Sequence, residues 1–360
     1  MYDYLIVGSG LFGSVFANQL YESGKKVLVI EKKNHIGGNC FTENIDDIHV
    51  HRYGPHIFHT SDDRVWTFVN KFVNFNNFIN RPKVFYKDKL YSFPINLMTL
   101  YQLYGIYTPY DAEKLLGEKK IIIDNPKNLE DYVLSQVGKE IYETFIKGYT
   151  TKQWNKDPKE LPTSIIKRIP IRLNFDDNYY FDKYQGIPIG GYTQIFEKLL
   201  KGIEIKTNVD YFDNKEYFNS ITKKIVYTGP VDLYFNHIFG KLQYRSLKFE
   251  TEHLDINDFQ GNALINYTEY EIPYTRIIEH KHFDYQNQKN TIITKEYPQN
   301  NGEPFYPIND FENNSKYTQY KKLMDMEKNV IFGGRLADYK YYDMHQVIAS
   351  ALSRVKKEIN

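Results

Sequence analysis

Short apolar runs open the chain. Tyr4-Leu5-Ile6-Val7 is unbroken by polar residues, the pattern of a strand covered on both faces in a parallel sheet. From Leu11 to Ser23 the spacing becomes helical, with Val15, Ala17, Leu20 and Tyr21 on one face and Gly24 as the stop. Lys26-Val27-Leu28-Val29-Ile30 predicts a second strand. A strand, helix and strand this compact cross over right-handed, which lays the two strands parallel. Further on, Leu129–Val137 and Glu140–Lys147 carry longer helical patterns, and Pro158, Pro162 and Pro170 predict an irregular, mobile loop. A helix through Ile195–Leu200 follows the break at Gly186–Gly191, and Ile225–Pro230 predicts a strand closing on a tight turn. Alternating runs at Thr275–Glu279 and Thr291–Glu296 predict antiparallel strands. The tail predicts a strand at Val330-Ile331-Phe332, a turn at Gly333-Gly334-Arg335, and a helix from Met344 to about Lys357.

Chemistry enters at the first turn. Gly8-Ser9-Gly10-Leu11-Phe12-Gly13 fits G-x-G-x-x-G between a strand and a helix. In that pattern the first glycine makes the tight turn, the second admits a pyrophosphate to the backbone, and the third lets helix and strand pack closely. The helix N-terminus adds free N–H groups and partial positive charge. Glu31 stands eighteen residues after Gly13 at the end of the second strand, placed to accept from a ribose hydroxyl. A second glycine pair follows in Asn34-His35-Ile36-Gly37-Gly38-Asn39. Flavoproteins of the glutathione-reductase and amine-oxidase type carry such a pair, together with a C-terminal strand–glycine–helix element like Phe332–Met344. The expected nucleotide is therefore FAD.

Composition narrows the rest. Lysines and arginines number 46 against 45 acidic residues, a net charge of +1 that excludes the broad basic field of a nucleic-acid binder. The single cysteine, Cys40, excludes an intrachain disulfide and a multi-thiolate metal site. The N-terminal apolar run is too short for a signal-peptide core and no stretch matches a membrane span, so a cytoplasmic protein is expected. His56 and His59, three apart in Tyr53–His59, lack the further ligands a zinc site wants, but suit the edge of a ring that gains and loses electrons. The 33 tyrosines are an excess that drift toward AT-rich codons explains. The same drift depletes arginine, of which the chain has nine. Arg168, Arg172, Arg276 and Arg335 lie outside helical surface patterns, where lysine would serve as well, and planar guanidinium groups are the better ligands for a diphosphate. Tyr149, Thr150, Trp154, Tyr179 and Tyr180 alternate with them. This mixture fits an aromatic base joined to a diphosphate, and equally an ordinary solvated loop.

With those residues in place, the chain resembles bacterial UDP-galactopyranose mutase from Tyr2 to its C-terminus. The most specific stretches are Val7–Gly13, Glu31–Asn39, Tyr53–Thr60, Lys147–Trp154, Ile166–Pro170, Tyr274–His282, Glu303–Pro307 and Ile331–Gln346. The resemblance implies an α/β fold: a Rossmann-like FAD-binding domain (1–75, 186–240 and 321–360), an inserted α-helical lid domain (97–185), and an antiparallel β-sheet domain (76–96 and 241–320). It implies interconversion of UDP-galactopyranose and UDP-galactofuranose for surface polysaccharides, through a covalent adduct between the sugar and N5 of FAD, which is active only when reduced. Arg168 and Arg276 would hold the two phosphates, with His59 as a further catalytic residue. Phe145, Tyr149, Thr150 and Trp154 would line the uridine pocket, and Asn80, Tyr179, Asn266, Tyr306, Arg335 and Tyr341 would contact phosphates and sugar. The cofactor would rest on Gly8, Gly10, Leu11, Phe12, Gly13, Glu31, Lys32, Gly38, Asn39, His56, Ile57, Gly334, Arg335, Tyr342, Asp343 and Met344. A homodimer is implied too. Phe305 departs from the tyrosine common in relatives at that position, leaving Tyr306 for the phosphate contact.

Three other readings stay open. One is a flavin oxidase or dehydrogenase on the same fold. Another is a mutase that also takes UDP-N-acetylgalactosamine. A third is a non-enzymatic escort resembling the Rab dissociation inhibitors, against which the complete set of phosphate-cradling glycines counts.

Overall fold

The computed structural model describes residues 1–166, 171–284 and 287–359. The chain divides into two compact units, one of residues 1–77, 182–244 and 303–360, the other of 78–181 and 245–302.

The first unit is built on a parallel sheet in the order Val330–Phe332, Thr222–Tyr227, Tyr2–Val7, Val27–Ile30, Glu204–Lys206. Leu5-Ile6 and Val27–Ile30 at its centre, with Val226-Tyr227 beside them, are buried on both faces, as their apolar runs predict, whereas the edge strand Glu204–Lys206 is largely exposed. Ile6, Val29 and Val226 face a core shared with Val15, Phe16 and Leu20 of helix Leu11–Glu22 and with Ile348 and Ala351 of helix Met344–Ile359. Leu5, Leu28, Ile225 and Tyr227 face an opposite core containing Tyr211, Phe218, Tyr234 and Tyr320. Each large side chain buried this way contributes roughly 1.5–3 kcal/mol. Several of the surplus tyrosines are therefore packing residues.

Register decides where a ligand could go. Val7 is level with Ile30 and Tyr227, Tyr227 with Phe332, and Ile30 with Lys206. Gly8, Glu31, Thr228 and Gly333 thus leave the sheet side by side at its carboxyl edge, where parallel sheets bind ligands.

The second unit combines helices with a sheet. Strands Tyr244–Leu254, Thr291–Gln299, Arg276–Glu279, Leu264–Tyr267, Lys83–Tyr86 and Lys89–Ser92 follow in that order. All pair antiparallel except Leu264–Tyr267 with Lys83–Tyr86. Helices Leu97–Tyr104, Pro109–Lys119 and Leu129–Ile141 pack Leu100, Leu116, Leu129 and Val133 with Val84, Tyr91 and Phe93. The helical pattern at 140–147 winds as a π-helix over Tyr142–Lys147 and leads into helix Gly148–Trp154. Among the described residues no helix is long and apolar enough to cross a membrane.

Candidate active site

The glycine turn of the first unit needs glycine for reasons visible in its surroundings. Gly8 has φ +102°, and a Cβ there would strike the Thr228 hydroxyl, which donates to the Val7 carbonyl at 2.8 Å. A Cβ on Gly13 would collide with the Gly8 carbonyl, so only glycine lets helix and turn close up. Gly10, by contrast, faces open space. It caps helix Leu11–Glu22 without a side-chain hydrogen bond, leaving the first-turn N–H groups for an anion. The second glycine turn touches the first: the Gly37 N–H donates to the Ser9 carbonyl at 3.1 Å, and Gly38 lies against Gly10.

These turns border a cavity of about 260 Å³ whose lining includes Gly8, Gly10, Leu11, Phe12, Gly13, Glu31, Lys32, Gly38, Asn39, His56, Gly334, Arg335 and Met344. Ile57, Tyr342 and Asp343, also predicted at the cofactor, are not part of that lining. Glu31, only 5% exposed, accepts from the Ser9 N–H and hydroxyl at 2.8 Å and from the Lys33 N–H at 3.0 Å. Three bonds fix the carboxylate in the crevice and leave one of its four lone-pair sites for a ribose hydroxyl. Lys33 pairs with Glu303 at 2.7 Å and lies over the Tyr53 ring at 3.8 Å. The open glycine, the uncapped helix N-terminus and the oriented acid fit the pyrophosphate and ribose of a dinucleotide.

The C-terminal loop supplies a further cation, Arg335, to this site. Arg335 donates to the Tyr342 carbonyl at 2.7 Å and lies over the rings of Tyr306 and Tyr341, which stack on each other at 5.3 Å. Asp343 caps the last helix, its carbonyl accepting from the Gln346 and Val347 N–H groups. His56 Nδ1 bonds the Gly54 carbonyl at 2.8 Å, so that nitrogen carries the proton. Burial, with a smaller push from Arg335, draws its pKa down to about 4, which keeps the ring neutral at pH 7. His59 is placed differently. It is buried outside the cavity lining, with Nδ1 2.6 Å from Asp182 and its ring edge-on to His345. Burial works against the Asp182 carboxylate, but the bonds from His59 and Ser61 outweigh it and hold its pKa low.

In the second unit Arg276 begins its strand beside Tyr149. One guanidinium nitrogen donates to the Tyr149 hydroxyl, Nε lies 3.3 Å from Glu296, and the guanidinium sits 6.0 Å from the centre of the Tyr149 ring. Asn266 pairs with Arg276 across the ladder. Thr150 is buried and Trp154 packs against the unit's core. Phe145, 2% exposed, lies within that core against Tyr91 and Phe93, and Phe93 in turn approaches Tyr179. The Tyr179 N–H donates to the Asn80 carbonyl at 2.8 Å. Arg172, singled out with the other arginines, ties its own loop instead, donating to the Asp176 and Asn178 carbonyls under the Phe181 ring. Arg168 lies outside the described residues. Glu296, the buried partner of Arg276, was missed by sequence reasoning. Its signal was an acid inside the alternating run that begins at Thr291.

Comparison with known proteins agrees with this geometry. A family model for UDP-galactopyranose mutase matches residues 144–341, and one for an NAD(P)-binding Rossmann-like domain matches residues 6–72. A dTDP-fucopyranose mutase from Escherichia coli is 39% identical, covering 97% of this chain and 96% of its own. A probable UDP-galactopyranose mutase from Klebsiella pneumoniae is 40% identical over 97% of this chain and 92% of its own. A UDP-galactopyranose mutase from Mycoplasma genitalium is 32% identical over 99% and 94%. A crystal structure of reduced UDP-galactopyranose mutase shares the fold, with a TM-score of 0.74 at 13% identity over 100% of this chain and 96% of that one. A putrescine oxidase shares it less closely, at 0.59 and 10% over 99% of each. Matched by that family model over more than half of its length, and by relatives of 39 and 40% identity along nearly all of it, the chain belongs to the UDP-galactopyranose mutase family of isomerases.

Proposed function

We propose that this isomerase interconverts UDP-galactopyranose and UDP-galactofuranose with FAD in its reduced state, in the cytoplasm, as a homodimer, supplying galactofuranose for surface polysaccharides. The observation that carries the reading is Arg276, held between Tyr149 and the buried Glu296 in the part of the chain that the family model matches. Reduced flavin, when bound, supplies a nucleophilic nitrogen for the anomeric carbon, so the sugar can exchange its ring without net redox change.

The chain's own residues do the placing. Arg276 and Arg168 would clamp the diphosphate and stabilise the charge that grows on it as UDP leaves. Tyr149, Thr150 and Trp154 would hold the uridine, while Asn80, Tyr179, Asn266, Tyr306 and Tyr341 would orient phosphates and sugar. Gly8, Gly10, Gly13 and the helix N-terminus would carry the flavin's pyrophosphate, with Glu31 on its ribose. His56, neutral with its proton on Nδ1, can accept but not donate through Nε2. His59, committed to Asp182 through Nδ1, would act from a fixed orientation.

The E. coli relative supports a second reading, a dTDP-fucopyranose substrate. Both substrates keep the diphosphate; they differ at the base methyl, the ribose hydroxyl and sugar C6. The test is chromatographic assay of dithionite-reduced protein with UDP-galactofuranose, with dTDP-fucofuranose and UDP-N-acetylgalactofuranosamine alongside. Conversion of UDP-galactofuranose to the pyranose is expected only after reduction. Preference for the thymidine sugar would replace the proposed substrate, and inactivity on all three would overturn the mutase reading.

A further inference from the structure

Helix Gly148–Trp154 carries Tyr149, Thr150 and Trp154, whereas Arg276 opens a strand more than a hundred residues later. The two meet through the turn that joins strands Leu264–Tyr267 and Arg276–Glu279. Within this turn the carbonyls of Tyr267, Ile272 and Tyr274 converge on a single group, the ammonium of Lys152, at 2.8, 2.8 and 2.9 Å. An ammonium has three donors and no acceptor, so the match is complete on its side. Two nearby contacts hold the same pair of segments. A Cβ on Gly148 would collide with the Thr268 carbonyl, so only glycine allows the helix to approach the turn this closely. The Thr268 hydroxyl donates to the Thr144 carbonyl at 2.6 Å. At the helix's far end the buried Arg245 donates to the Gln153 carbonyl at 2.8 Å and the Lys152 carbonyl at 3.3 Å.

We propose that Lys152 is a positioning residue for the nucleotide-sugar reaction: by clamping the 267–274 turn to the Tyr149–Trp154 helix, it sets the spacing between the Arg276 guanidinium and the Tyr149 and Trp154 rings. For its substrate this inference rests on the mutase reading above. The clamp works as a cation held by carbonyl dipoles, which a hydrophobe of equal length cannot reproduce. Burial draws the Lys152 pKa down to about 8, opposed by Glu269 and Glu271, so at neutral pH the side chain keeps all three donors. Arg276 follows the last of the three carbonyls by two residues, so slack in the turn passes directly to the guanidinium.

The test is steady-state kinetics of Lys152→Met with UDP-galactofuranose under reducing conditions. A displacement of about 1 Å predicts a fall in kcat/KM on the order of 10- to 100-fold, expressed in kcat as well as KM, with flavin absorbance unchanged because the glycine cradle belongs to the other unit. Unaltered kinetic constants with only a lower Tm would make Lys152 a structural residue and overturn the proposal. If the methionine variant does not fold, Lys152→Ala is titrated with methylammonium against sodium chloride of equal ionic strength. Recovery of kcat/KM with the amine alone is expected, and equal responses to both salts would overturn the clamp. Should the wild type be inactive on UDP-galactofuranose, the substrate reading fails and the clamp is judged by fluorescence. The chain has two tryptophans, so Trp66→Phe leaves Trp154 as reporter. A changed emission and iodide quenching in Lys152→Met supports the clamp; identical spectra overturn it.

Discussion

At the scale of single residues, Arg276 is a cation whose orientation is set by its neighbours, as the proposed diphosphate role requires. Its Nε is paired with Glu296, which is 1% exposed, while another nitrogen reaches Tyr149, so its planar fork is oriented before any ligand arrives. Arg276→Ala is expected to lower kcat/KM for UDP-galactofuranose on the order of 10²- to 10³-fold, the cost of removing one preorganised charge-stabilising donor, with flavin retained. The alanine also strips a buried carboxylate of its cation, so Arg276→Lys is the companion variant. It restores stability but only part of the activity, because an ammonium lacks the bidentate fork. Wild-type turnover by Arg276→Ala would refute the diphosphate role. Arginine scarcity made Arg276 legible in the sequence. Its pairing was not, since Tyr149, itself singled out in the sequence, and Glu296 lie on other segments and residue type alone does not join them to it.

At the scale of elements, strand Arg276–Glu279 is pinned at both ends. Glu279, fully buried, accepts from the Phe259 and Gln260 N–H groups at 2.9 Å and from the Thr291 hydroxyl at 2.7 Å, with His282 3.4 Å away. Burial alone would raise its pKa, but these bonds dominate and bring it to about 2. A carboxylate depressed in the folded state contributes stability that is present above its unfolded value and lost as pH falls through the folded one. Glu279 should therefore contribute roughly 3 kcal/mol at pH 7, fading between about pH 4.5 and 2. His282, raised by Glu279 and Asp258, has the opposite sign: its contribution is full below its ordinary pKa and is lost as pH rises through the shifted one. Urea unfolding from pH 2.5 to 7 should show Glu279→Gln losing stability at neutral pH and converging on the wild type in acid. Parallel curves would contradict this. The periodicity of apolar residues located this strand and the last helix, observed at Met344–Ile359. It did not reveal the π-helix at Tyr142–Lys147, because six residues are too few to separate that winding from an α-helix.

At the scale of the whole molecule, a parallel sheet places Gly8, Glu31, Thr228 and Gly333 at one edge. Removing the flavin should abolish turnover even with dithionite present, and FAD but not NAD should restore it, as read by chromatography of the nucleotide sugars. Activity in flavin-free protein would exclude the proposed chemistry. Sequence alone was enough for this cradle, because G-x-G-x-x-G, the acid after the second strand and the second glycine pair are local patterns whose backbone requirements hold wherever the chain runs. The motif stretches likewise carried the family. Only the tertiary structure decided which side chains serve one another: Arg276 with Glu296 and Tyr149, Lys152 with three carbonyls over a hundred residues away, His59 with Asp182 rather than the cavity, and Phe145 in the core. Those choices follow from packing distant segments so that buried polar groups find partners, and separation along a chain says nothing about which partners they will be.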